Sequence, residues 1–113
     1  MEKPMKRYCF ILELKEECVA EYIELHKNAW PEMLRAIDVS GAHEEIIYRY
    51  ENVSIVFFSC EDEISEVFRK LGENDVVDKW NATVGPWFKK AGVTYLEKIF
   101  DLRQQLDGNM DQY

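Results

Sequence analysis

A chain of 113 residues, 47% hydrophobic and 32% charged, holds one globular domain with a single modest core. Its formal net charge of −8 argues against nucleic acid, an anionic membrane surface or a heavily phosphorylated substrate as the main partner, because phosphate contacts need clustered Lys and Arg. A neutral small molecule remains compatible.

No apolar run approaches the ~20 residues of a membrane helix, and the charged start through Lys6 and Arg7 leads into no secretory cleavage pattern. The expected location is therefore cytoplasmic. Cys9, Cys18 and Cys60 form an odd set without metal-ligand spacing and read as reduced thiols.

Arg7 to Leu14 reads as a strand, with Tyr8, Phe10, Leu12 and Leu14 on one face and Cys9 and Ile11 on the other. Lys15 to Val39 reads as helical. Val19, Tyr22, Ile23, His26, Trp30, Met33, Leu34 and Ile37 recur at spacings of three and four, the stripe of an amphipathic helix. Pro31 has no N–H to donate and restricts Trp30, so a kink or restart is expected there. Ser40-Gly41 supplies a C-terminal stop.

Two strands, His43 to Tyr50 and Val53 to Cys60, flank the two-residue link Glu51-Asn52 and form an antiparallel hairpin, with Asn52 suited to a left-handed turn conformation. The second is apolar on both faces and should be central. Glu63 to Leu71 is a short helix, and Asn74 or Asp75 caps another bearing Val76, Val77, Trp80 and Val84. Gly85-Pro86 ends it. Thr94 to Leu102 is expected as a last strand, closing a domain of residues 1–103; 104–113 form a polar, frayed tail.

The order β-α-β-β-α-β is the split βαβ arrangement of an α+β, ferredoxin-like fold. Helices on one side of four strands leave the other sheet face uncovered, and its apolar content calls for a second copy of the chain. A homodimer is expected.

Tyr22 and His26, one helical turn apart, share the inward stripe, and Trp30 continues the line. By pattern alone such residues are more often satisfied core groups than a site. His43, Glu45, Ile47 and Arg49 share a strand face, a polar pocket lining or a solvated edge with equal claim. Trp80 and Trp87 could wall a cavity, although plain core is the commoner role for tryptophan. No nucleophile elbow, phosphate-cradling loop, metal-ligand spacing or dinucleotide fingerprint is present, which implies neither metal nor other cofactor.

The run His26-Lys27-Asn28-Ala29-Trp30-Pro31-Glu32-Met33, followed by Gly41-Ala42-His43, resembles the L-rhamnose mutarotase family. Tyr22, four residues before that histidine, and Asp75-Val76-Val77-Asp78-Lys79-Trp80 resemble it too, and the likeness runs from Tyr8 to about Phe100. The resemblance implies a dimeric α/β barrel of ferredoxin-like units that interconverts α- and β-pyranoses. It implies His26 as proton donor, Tyr22 as a sugar contact, and Trp80 as the first of two adjacent pocket tryptophans. The second of these is Asn81 here, and Glu45 stands in place of a substrate-contacting tyrosine.

L-rhamnose is the leading substrate on this reading, with L-fucose or another deoxy-sugar as alternatives. Trp30, His43, Glu45, Trp80 and Asn81 join Tyr22 as expected substrate-binding residues around His26. Two rivals are a dimeric-barrel monooxygenase acting on an aromatic or quinol-like substrate, supported by fold analogy alone, and a non-catalytic small-ligand binding module.

Overall fold

The computed structural model describes residues 4–108. Strand β1 (Lys6–Glu13) is followed by a single 3₁₀ turn and then by α1 (Val19–Lys27), α2 (Pro31–Val39), β2 (Ala42–Tyr50) and β3 (Val53–Cys60). Helices α3 (Ile64–Leu71) and α4 (Asp75–Val84), the short strand β4 (Thr94–Tyr95) and α5 (Leu102–Leu106) complete the order. The sheet runs β2-β3-β1-β4, with every pairing antiparallel, which is the ferredoxin-like α+β arrangement.

The expected break at Pro31 is present. Proline occupies the first turn of α2, where its missing N–H costs nothing, and Trp30 before it is extended at φ −61°, ψ 133°. Helix α2 ends at Ser40, and Gly41 follows at φ +105°, a conformation glycine adopts without a Cβ penalty.

In β3 the residues Ser54, Val56, Phe58 and Cys60 face the helices and are all buried. Val56, Phe58 and Cys60 pack with Phe10 of β1 and with Ile64 and Val67 of α3. Full burial of a Val or Phe side chain is worth ~1.5–3 kcal/mol, so this cluster anchors α3 to the sheet. A second cluster, Met33, Ala36, Val77, Trp80 and Val84, holds α2 against α4. The opposite sheet face is bare: Ile46, Tyr48 and Phe57 are 45%, 60% and 45% exposed.

Three sequence expectations need correction. The strand expected over Thr94 to Leu102 pairs only at Thr94–Tyr95, opposite Ile11 and Phe10; one further bond runs from Leu96 N to Cys9 O. Beyond it Ile99 and Phe100 have no neighbouring strand and stand 79% and 61% exposed. Residues 102–106 are helical instead, because the Asp101 side chain accepts from Gln104 N and caps that turn. Part of the expected frayed tail is thus a helix, while 109–113 fall outside the described residues. In the hairpin the positive φ belongs to Glu51 (52°), not Asn52, whose side-chain amide donates across to Leu14 O at 2.9 Å.

The third correction concerns β2. A bulge between Ala42 and Glu44 sets Ala42 opposite Cys60 and Glu44 opposite Ser59. His43 is the extra residue, so it does not share the ladder face of Glu45, Ile47 and Arg49.

Candidate active site

An open cavity of about 890 Å³ lies between the sheet and the helical layer. Helix α1 contributes Tyr22 and His26, β2 contributes Glu45, and α4 contributes Trp80 and Asn81. Its remaining wall is largely apolar, with Phe58, Phe68 and Leu71 prominent. That mixture, a few convergent polar groups on an apolar surface, is the usual composition of a small-molecule site.

Helical spacing brings Tyr22 and His26 together as the sequence implies, with ring centroids 4.1 Å apart. His26 Nδ1 lies 2.7 Å from the main-chain carbonyl oxygen of Tyr22. A carbonyl can only accept, so Nδ1 carries the proton. In the neutral ring Nε2 is then the unprotonated nitrogen, and it has no hydrogen-bond partner among the described residues. Burial lowers the imidazole's pKa below its ordinary value of ~6.5, and the contact with the Tyr22 carbonyl partly offsets that shift.

Tyr22 is 5% exposed, and its hydroxyl is paired at 2.8 Å with Ser54 Oγ in β3. Burial raises the phenol's pKa; the Ser54 hydrogen bond opposes this and the nearby Glu45 carboxylate adds to it. Phe88 packs edge-on against the Tyr22 ring at 6.0 Å. The phenol is therefore locked from both ends.

Glu45, opposite Phe58 in the β2–β3 ladder, lines the cavity and is exposed as a residue, with its carboxyl group partly desolvated against the wall. That desolvation raises its pKa. Trp80 is buried and meets His26 edge-on at 5.2 Å. Trp30 does not line the cavity; its ring meets Trp80 edge-on at 5.2 Å. His43, displaced by the bulge, is likewise outside the lining, and Trp87 packs into the α2–α4 cluster.

Spacing rules missed Ser54, because its contact with Tyr22 spans 32 positions of sequence. The available signal was a serine at an inward position of an otherwise apolar central strand, a place where a hydroxyl needs a partner. Among the described residues no group of three or more His, Cys, Asp or Glu is placed to hold a metal ion, and no helix is long and apolar enough to cross a membrane.

A profile of the L-rhamnose mutarotase family matches residues 7–102. An L-rhamnose mutarotase of Bacillus subtilis is 32% identical over 85 residues, 75% of this chain and 82% of its own length. The L-rhamnose mutarotase FA22100 of Formosa agariphila superposes with a TM-score of 0.70 at 20% identity, over 86% of this chain and 98% of its own. The tetracenomycin F2 cyclase of Streptomyces glaucescens, a polyketide cyclase, superposes at 0.55 with 15% identity, over 85% of this chain and 95% of its own. One fold thus carries more than one chemistry, and the side chains in the cavity must decide between them.

Proposed function

The chain belongs to the L-rhamnose mutarotase family, and from that premise we propose that it interconverts the α and β anomers of a 6-deoxy-hexose, with L-rhamnose the leading candidate and His26 a proton-transfer group. The observation that carries this reading is the single imidazole turned toward the cavity, its Nδ1 occupied by a main-chain acceptor and its Nε2 free.

Mutarotation opens the pyranose ring. The anomeric hydroxyl loses its proton as C1=O forms, the bond from C1 to the ring oxygen breaks, and that oxygen takes up a proton. Rotation about C1–C2 then presents the other carbonyl face, and closure reverses both transfers. Every proton that moves is returned, so the reaction needs one base and one acid and consumes nothing.

The family likeness makes His26 a proton donor. Burial favours its neutral form, so on opening Nε2 accepts the anomeric proton, and on closure the same nitrogen donates it back. Trp80 offers the flat face on which the apolar side of a deoxy-sugar stacks, and Asn81 can both donate to and accept from a ring hydroxyl. Tyr22, tied to Ser54, supports His26 more directly than it reaches the sugar.

Glu45 and Asn81 vary the pocket of the rhamnose enzymes, so L-fucose is the second substrate to test. A homodimer assembled through the bare sheet face, acting in the cytoplasm, completes the proposal. Saturation-transfer NMR of anomeric protons across a panel of deoxy-hexoses checks it directly. Accelerated exchange that His26→Ala abolishes in a folded protein supports the reading. Unaccelerated exchange with every sugar, or exchange indifferent to His26→Ala, overturns it.

A further inference from the structure

A mutarotase needs a second group that exchanges a proton with the ring oxygen, and the cavity narrows the choice. Six titratable or charged residues are among its lining: Tyr22, His26, Lys27, Glu45, Tyr48 and Arg49. Helices α3 and α4 add none, since Phe68, Leu71, Val77, Trp80 and Asn81 do not titrate.

The hydroxyl of Tyr22 is engaged by Ser54 deep in the core, at 2.8 Å. Tyr48 belongs to the outward face of β2, where its ring packs edge-on against Phe57 at 5.8 Å. The Arg49 guanidinium donates to Glu51 O at 3.1 Å and cannot exchange its proton in a catalytic cycle. Lys27 sits at the exposed end of α1, turned about 100° round the helix from His26. Only Glu45 is left.

We propose that Glu45 is the catalytic partner of His26, donating a proton to the ring oxygen as the pyranose opens and recovering it as the ring closes. This rests on the mutarotase reading and completes it. The carboxyl group approaches from β2, on the sheet side of the cavity, while the imidazole approaches from α1, so a sugar between them meets one group on each face. Glu45 and His26 share one proton. At rest that proton lies on the carboxyl; in the open-chain intermediate the imidazole holds the proton taken from the anomeric hydroxyl, and the ring oxygen holds the one that Glu45 gave. Burial raises the carboxyl pKa and lowers the imidazole pKa, which moves both groups toward this distribution.

Glu45→Gln keeps the size and hydrogen-bonding capacity of the side chain and removes only its exchangeable proton. The expected result is a loss of ~10²-fold or more in the saturating anomer-exchange rate. Sugar affinity, read from the fluorescence of Trp80 and its neighbours, should stay within a small factor of the parent's. The alkaline limb of the pH–rate profile should vanish, and Glu45→Asp should retain part of the rate and the limb.

If Glu45→Gln exchanges anomers at the parent rate with an unchanged profile, or loses affinity while keeping its rate, the assignment fails. In either case the mutarotase reading stands, provided His26→Ala is inactive. A parent protein that accelerates no deoxy-hexose defeats both.

Discussion

The hydroxyls of Tyr22 and Ser54 meet at 2.8 Å in the closed interior, joining helix α1 to the centre of the sheet. Ser54 is wholly buried, so this pair is a polar link inside an apolar layer. Removing one member strands the other without water. Ser54→Ala should therefore cost about 1–3 kcal/mol of stability in chemical denaturation, and Tyr22→Phe a similar amount. The double variant should recover most of the loss, because neither hydroxyl is then left unpaired. Additive losses would show that the two groups are not coupled.

The lowered pKa of His26 makes folding sensitive to acid. Below ~6.5 the unfolded chain takes up a proton on this imidazole more readily than the folded chain does, so stability falls as the pH drops through that value toward the folded pKa. Glu45 acts in the opposite sense: its raised pKa means that acidification relieves the cost of an ionised carboxylate in the cavity wall. His26→Gln should flatten the fall in stability over the acid range below ~6.5, and Glu45→Gln should remove the opposing gain that begins as the pH drops through the carboxyl's folded pKa. Denaturation midpoints measured across that range check both signs.

The bare outer sheet face predicts assembly. Ile46, Tyr48 and Phe57 expose large apolar surfaces on adjacent strands, and the 15.3 Å radius of gyration exceeds the about 13 Å expected for a compact chain of this length. Ile99 and Phe100, in the segment beyond Tyr95, add further exposed apolar surface. Sedimentation equilibrium should give a dimer, and Phe57→Lys should shift it toward monomer while leaving far-ultraviolet dichroism unchanged. A parent that sediments as a monomer at every concentration contradicts the assembly.

Gly41 turns the chain from α2 into β2 at φ +105°. A Cβ there would meet Val67 Cγ2 at an ordinary 3.8 Å, so the cost of Gly41→Ala is conformational rather than steric. About 1–3 kcal/mol of destabilisation is expected in thermal or denaturant melts, without loss of the site's exchange chemistry at low temperature.

Much of this was legible from residue order because the informative contacts are local. Spacings of three and four placed Tyr22 and His26 side by side, Pro31 divided the helical segment, and the apolar run from Val53 to Cys60 announced the central strand. Three features were not legible, and each depends on a partner distant in sequence. The bulge that displaces His43 is a property of the β2–β3 ladder and leaves no trace in alternation. Leu96 to Leu102 has strand-like composition, yet most of it has no neighbouring strand to pair with. The role of Ser54 emerges only when α1 is laid on the sheet.

The acceptor that holds the proton on His26 Nδ1 belongs to the main chain at position 22. No side chain supplies it, and therefore no exchange of one side chain for another can delete it. Which nitrogen faces the cavity is inherited with the helix itself: it persists through drift at neighbouring positions for as long as α1 stays wound through its last turn. The vulnerable quantity is backbone order. A change that frays Leu25 to Lys27 would release the imidazole from its fixed tautomer while leaving every group that lines the cavity chemically intact.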